Sequence, residues 1–461
     1  LNSTVVLQST GELMAQVFPF RAYRFNPESA PFDRVLTQPY DKISPERQAE
    51  YYAMHPQNLI AVEKGRVFPD DSPQNNVYTR AAAKVDEWIR DHIVLQDPVP
   101  AFYAYAQEFT VPGTAERRRR RGFIGAGRLE EYSASVIFRH EHTLSGPKAD
   151  RLELLRHTRT HTGQLFMLYS DPHQRIEKIL DETQSSATPV TELTDEYEVV
   201  HRLWVIADPH HVQAIQHAMA DQKLVIADGH HRYETALNYR NERRASRSSH
   251  DPNADYERSM MTFVNTHGQD LVILAGHRVV ANVLDFSWSA VRRYLEPWFA
   301  SEVFPFANDS EKEQARAKFL ARLAATIKQR SIGAYPASAE QKRAFYLFHL
   351  RPGADLAQLL HSVCPLQRQL DVVLLHDGIL EPALGITLQA ATKEMNLTYE
   401  REAGAAIAAV DSGRAQVCFL LNPVDVEKVM QIATGNEVMP QKSTDFYPKL
   451  LSGITMYRIE S

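Results

Sequence analysis

A chain of 461 residues, 44% hydrophobic and 23% charged, is too long for one compact core and too apolar for disorder, so two or three globular domains are expected. A formal net charge of -6 argues against a nucleic-acid binder, and two cysteines, Cys364 and Cys418, exclude a disulfide framework or a Cys-rich zinc site. No apolar run approaches the roughly 18 residues that span a bilayer, and the first residues do not read as a signal peptide, so a cytoplasmic setting without membrane contact is expected.

In chain order, Phe18–Phe25 reads as extended, and the loop Gln38-Pro39-Tyr40-Asp41 leads to Ser44, an N-cap with Pro45 at the first helical position. A helix over Val77–His92 places Tyr78, Ala81, Ala82, Val85 and Trp88 on one face. AFYAYAQEFTV and GFIGAGRLEEY flank a Pro-Gly turn and read as a hairpin, with the run Arg117–Arg121 at its tip as a solvated, mobile loop. The polar segment RHEHTLSGPKADR, a helix from Asp150 and the strand QLFMLYSD follow, then a helix from near Pro172 and the strand HRLWVIAD. Next come a helix over Pro209–Asp221, the strand KLVIA, the turn DGHH and the helix RYETALNYRNERR, then the strands MMTFVNT and LVILAGHRVV. Beyond Asp285 lie a Trp- and Arg-bearing helix, a helix over Ser310–Lys328, the strands AFYLFHL and AQVCFLLN, a helix over Pro423–Ala433 and the tail MPQKSTDFYPKLLSG. Strands alternating with helices predict an α/β or α+β protein with a mixed sheet. The expected divisions are an N-terminal α/β region over 1–100, a central domain over 101–284 that holds both polar motifs, and a C-terminal α/β domain over 285–461.

Chemistry concentrates in two places. Leu224-Val225-Ile226-Ala227 reads as a buried strand, Asp228-Gly229 as a tight turn, and a helix begins near His230 or His231. The first N–H groups of a helix attract anions, Arg232 adds a full positive charge, and Asp228 is placed to hold Mg²⁺ or orient a histidine, so strand, turn and helix together make a phosphate cradle. The plainer alternative is a capped helix with a solvated arginine and two surface histidines. A histidine-bound metal is disfavoured, because adjacent residues rarely aim at one ion. The second constellation is Arg139-His140-Glu141-His142-Thr143 with Lys148, Asp150, Arg151 and Glu153. It reads either as a solvated loop or as a site in which Glu141 is a general base tuned by its His and Arg neighbours. Tyr40 and Asp41 would offer a phenol and a carboxylate to a pocket, and Lys442-Ser443-Thr444 with Lys449 suit an anion contact. No Walker A pattern, kinase Gly-rich loop or dinucleotide fingerprint occurs.

TQPYDKIS, RHEHTLSGPKADRLELLR, LVIADGHHRYETAL, MTFVNTHGQDLVILAGHRVV and MPQKSTDFYPKLLSG together resemble the bacterial family known as domain of unknown function 1015, from about Phe18 to about Gly453. The family's usual proline pair before Tyr-Asp is Gln38-Pro39 here, and its valine after the aspartate is Lys42. More distantly, the middle of the chain is similar to free serine kinases of the ParB and sulfiredoxin-like superfamily. That resemblance implies nucleotide-phosphate binding by Asp228, Gly229, His230, His231 and Arg232, with Glu141 as the base that takes the serine hydroxyl proton, and an insertion around Ser185–Val200.

The combined expectation is a phosphotransferase that uses ATP or ADP and Mg²⁺ held by Asp228. Glu141, Asp228 and His231 carry the chemistry, while Arg139, His140, Arg151, Arg278, Tyr40 and Asp41 contact a small hydroxy-acid substrate such as serine. The alternatives are a nucleotide-sensing module of the ParB-like class without kinase activity, or a metal-dependent hydrolase. Homo-oligomerisation stays open.

Overall fold

The computed structural model describes residues 14–141, 146–268, 271–337, 343–387, 396–440 and 442–460. The extreme N-terminus read for a leader, and His142 and Thr143 of the second motif, lie outside them.

Among the described residues, nine strands form a mixed sheet. In chain order they are β1 (Val17–Phe18), β2 (Phe102–Thr110), β3 (Arg117–Arg128), β4 (Ile137–Arg139), β5 (Leu165–Tyr169), β6 (Thr191–Thr194), β7 (Val200–Ile206), β8 (Leu224–Asp228) and β9 (Arg258–Asn265). Across the sheet they run β4-β8-β5-β9-β3-β2-β7-β6, with β1 added to the far end of β3. The long hairpin β2–β3 is the middle of the sheet, as the alternating sequence predicts. Its arginine run is not the tip. Arg117–Arg121 pairs residue for residue with Thr110–Ala106, so every second arginine turns inward. Arg120 is buried over the ring of Phe166 and bonded to Gln107 and the carbonyls of Tyr447 and Pro448. Arg121 pairs with Asp181 outside. The Pro-Gly turn ahead of the run is short enough to close the hairpin, and neutral acceptors are at hand for the one guanidinium that is buried.

A second sheet of six strands, all antiparallel, is built from β10 (His277–Val280), β11 (Phe299–Pro305), β12 (Ser331–Pro336), β13 (Ala344–Leu350), β14 (Leu397–Glu400) and β15 (Val417–Leu420). Its order is β11-β13-β12-β15-β10-β14. The helices Asp309–Ala325 and Ala403–Asp411 pack on it through Phe319, Leu323, Ala406 and Val410. One apolar cluster runs from Phe20 through Tyr103 and Trp288 to Ile459, joining both sheets and the last residues of the chain.

LVILAGHRVV, read as one strand, is two. Val272–Leu274 pairs with Asp445–Tyr447 of the tail, and β10 enters the second sheet. The break falls at Ala275-Gly276, where a Cβ on Gly276 would sit 2.7 Å from an Arg278 nitrogen and 3.2 Å from the Lys442 carbonyl. The other elements follow the sequence closely: Ser44 caps Pro45–Met54 by accepting from the Arg47 N–H, and Asp208 caps Pro209–Met219.

Candidate active site

The two polar motifs meet because β4 and β8 are parallel neighbours, with Leu224 opposite Ile137 and Ile226 opposite Arg139. Carrying that register forward sets Glu141 and Asp228 at the same end of adjacent strands. Crevices outside the carboxyl ends of parallel strands are where open α/β sheets bind ligands. On its other side β8 pairs antiparallel with β5, and the register slips between Ile226 and Asp228. That irregularity re-aims the side chain at the strand end. Gly229 follows at φ 95, and the helix His230–Ala245 starts at once. Only glycine takes this backbone without strain, and a Cβ there would lie 3.1 Å from Leu165 and 3.2 Å from an Arg232 nitrogen.

These residues line a cleft of about 420 Å³. The turn Asp228–Arg232 lines it together with Tyr40, Asp41, Lys42, Glu141, Thr444 and Lys442. Ala275, Gly276, Tyr399, Glu400, Arg401, Asp445 and Lys449 complete it. Lys449 Nζ lies 3.2 Å from Asp228 Oδ2 and 2.9 Å from Asp445 Oδ1, so one ammonium serves two carboxylates. Burial raises the Asp228 carboxyl, but Lys449, Arg232 and Lys42 outweigh it and hold the group well below the usual carboxylate range. Burial pulls the Lys449 ammonium down, and the two aspartates more than restore it. Burial pushes the Tyr40 phenol up to about 12, so it stays neutral.

His140 is fully buried behind Glu141. Its Nδ1 is 2.6 Å from the Ile226 carbonyl and its Nε2 is 2.8 Å from Thr444 Oγ1. A carbonyl only accepts, so Nδ1 carries the proton and Nε2 accepts from the Thr444 hydroxyl. Burial depresses the imidazole's pKa, consistent with this neutral form. The one hydroxyl proton of Thr444 is then directed to His140. Glu141 Oε1, 3.2 Å from that oxygen and 3.4 Å from the Thr444 N–H, keeps its acceptor capacity for the cleft it lines. His230 packs its ring edge-to-face on His140 with centroids 4.8 Å apart, and its buried Nε2 has no hydrogen-bond partner. Burial holds His230 well below the usual imidazole range, and it lowers half-buried His231 as well.

Of the twelve residues given roles in the expected phosphotransferase, Glu141, Asp228, Gly229, His230, His231, Arg232, Tyr40 and Asp41 all line this cleft. The other four do not. His140 stands behind Glu141. Arg139 lies over the Tyr132 ring, 4.0 Å from Glu234. Arg151 stacks on Tyr40 and bonds Asp150 and the Glu63 carbonyl. Arg278 is buried under Tyr399, bonded to His376 Nε2 at 3.1 Å, to the Lys442 carbonyl at 3.2 Å and to the Gly276 carbonyl. It braces the backbone of the lining residues Gly276 and Lys442. Sequence reading did not single out Tyr399 and Arg401, which sit on an unremarkable β14 and just after it, or Asp445. The tail lysines were visible as a cation-and-hydroxyl cluster.

Among the described residues, no three His, Cys, Asp or Glu side chains converge as a ready-made metal cage. Asp228 is already engaged by Lys449 and by the Gly229 N–H at 2.8 Å. Mg²⁺ that arrives on phosphates needs only one or two carboxylates from the protein. Asp41 and Asp228, which both line the cleft, fit that mode.

The fold and cleft therefore define a mixed α/β protein with a polar, charge-balanced pocket at the ends of parallel strands. The chain belongs to the family described as protein of unknown function (DUF1015), whose family model matches residues 17–373. No curated protein matches it. Among solved structures, it is similar to a conserved hypothetical protein from Pyrococcus furiosus, at 14% identity over 68% of this chain and 87% of that one, TM-score 0.29. It is also similar to a free serine kinase in complex with AMP, at 12% identity over 70% and 88%, TM-score 0.32. A third is SbnI with C-terminal truncation from Staphylococcus aureus, at 10% identity over 71% and 85%, TM-score 0.32. At these scores the likeness carries no weight for fold or chemistry. Among the described residues no helix is long and apolar enough to cross a membrane.

Proposed function

We propose that the cleft belongs to a nucleotide-dependent phosphotransferase, which moves a phosphoryl group from ATP or ADP to the hydroxyl of serine or a similar small hydroxy acid. The observation that carries this reading is the parallel pairing of β4 with β8, which brings an available carboxylate, Glu141, into one cleft with a helix N-terminus, Arg232, Lys42 and Lys449. Phosphoryl transfer asks for little more than positioning, neutralisation of charge and an acceptor for the hydroxyl proton.

In this reading the first N–H groups of the helix, with Arg232 and Lys449, hold the donor's phosphates. The acceptor oxygen forms its bond to the terminal phosphorus as the bond from that phosphorus to the departing nucleotide breaks, and the electron pair leaves on the nucleotide's phosphate oxygen. The hydroxyl proton passes to Glu141, which Thr444 and His140 hold in place. Lys442, which lines the same cleft as Glu141, meets the acceptor's carboxylate. Mg²⁺, when bound with the nucleotide near Asp228 and Asp41, supplies further neutralisation of phosphate charge.

Phosphorus NMR of the protein with Mg²⁺, ATP or ADP, and a panel of amino and hydroxy acids including serine tests this. A new phosphate-ester resonance that requires both nucleotide and one acceptor is the expected result. Glu141→Gln is expected to abolish turnover while nucleotide still binds; undiminished turnover removes Glu141 from the role of base. Nucleotide binding with no ester from any acceptor would point instead to a nucleotide-sensing module.

A further inference from the structure

Past Lys449 the cleft continues into a second chamber of about 160 Å³. Lys42, Arg401 and Lys449 line both spaces and form the sill between them. The chamber's other walls include Tyr197, Val199, Tyr447 and Pro448, which set two aromatic rings and an apolar surface beside Gln38 and Asp195.

This surface is held rigidly. The Tyr447 ring is braced edge-on by Phe109 at 5.4 Å, and both pack with fully buried Val199. Tyr197 is 50% exposed, yet its backbone is fixed, because Asp195 Oδ1 accepts from the N–H groups of Tyr197 at 2.9 Å and Val199 at 3.0 Å. An exposed aromatic held in place beside a chamber has surface to offer a ligand. Asp195 Oδ2 lies 3.0 Å from Gln38 Nε2 and 3.1 Å from His201 Nε2. His201 and the two backbone N–H groups overcome the effect of burial and keep Asp195 ionised. An ionised carboxylate only accepts, so the amide NH₂ of Gln38 is fixed on Asp195, and its Oε1 is the acceptor it offers the chamber.

We propose that this chamber seats the base of the nucleotide, an adenine whose exocyclic amino group donates to Gln38 Oε1 and whose ring packs on Tyr197 and Tyr447. The phosphates then cross the sill at Lys449 and reach the start of the helix His230–Ala245. The seat rests on the phosphotransferase reading of the main cleft. It is not the acceptor's place, because Glu141 lines the cleft and not the chamber.

Calorimetric titration of the full chain with ADP, inosine diphosphate and pyrophosphate separates the parts. Inosine diphosphate has a carbonyl where adenine has its amino group, so ADP is expected to bind on the order of tenfold more tightly. Tyr197→Ala, a change at an exposed ring, is expected to weaken ADP by about tenfold or more and leave pyrophosphate unchanged. ADP binding unaffected by Tyr197→Ala, equal losses of ADP and pyrophosphate, or equal affinity for the two nucleotides would each overturn the seat and leave the phosphotransferase reading standing. Failure of the wild-type protein to bind ADP at all would overturn both.

Discussion

Asp228 and Asp445 share the single ammonium of Lys449, and all three side chains are largely out of water. Asp445 is also paired with Arg401, so removing Lys449 leaves chiefly Asp228 without its ion-pair partner, and a buried charge left so costs more than the pair contributes when intact. Lys449→Met is expected to lower stability by about 3 kcal/mol at neutral pH, measured by urea denaturation. Both carboxyls sit below their ordinary value of 3.8 in the folded protein, so their contribution is present above that pH and is lost as acid protonates them. The deficit of the variant should therefore narrow as pH falls through about 4; a pH-independent deficit would mean that Lys449 acts by packing alone. At this scale the sequence is a partial guide. The cations of the tail are visible as a cluster, but Arg139, Arg151 and Arg278 look equally available until their partners are known. An arginine's own neighbours in the chain do not reveal that a tyrosine ring or a distant carbonyl has already claimed it.

The strand–turn–helix Leu224–Ala245 is legible because its signals are local: an apolar run, a turn pair with glycine, then helical spacing. Gly229→Ala forces a side chain into the left-handed region and against Leu165 and Arg232. It is expected to cost about 1–2 kcal/mol, read as a lower melting temperature, and to weaken pyrophosphate binding by displacing Arg232. Retained binding with lowered stability would show that Arg232 is not needed for phosphate. The pairing of β4 with β8 is not legible, since more than eighty residues separate the strands and either could have paired elsewhere. The same holds for LVILAGHRVV, whose two halves are apolar enough for one strand and are divided only by the partners each finds.

Across the molecule, burial pulls several histidines well below the usual imidazole range. His277 accepts from the Leu421 N–H at 3.2 Å and is pulled down to about 4 by burial, with Arg278 adding to it; His376 is pulled down to about 3 for the same reasons. Their ordinary value is 6.5, so between there and the folded values the unfolded chain binds more protons, and stability falls as pH falls. Each should remove on the order of 2 kcal/mol between pH 6.5 and 5. His376→Gln, which keeps an acceptor for Arg278, is expected to flatten that slope in guanidinium denaturation; equal slopes would mean that His376 is already protonated in the native protein. The mixed α/β class follows from the alternation of elements in the sequence. How the tail is threaded does not, because its pairing with Val272–Leu274 and its hold on Arg120 and Arg278 are contacts between distant parts of the chain.

That threading sets an order of events during synthesis. Asp228 is made about 220 residues before Lys449, and at roughly 5–20 residues per second this is a delay of about 10–45 s. Until then the nascent chain holds the turn Asp228–Arg232 without the ammonium that pairs with Asp228 and without Thr444 beside Glu141. A ribosome-bound chain that has not reached the tail therefore holds only part of the cleft, and a ligand that needs the whole of it cannot help the early part fold.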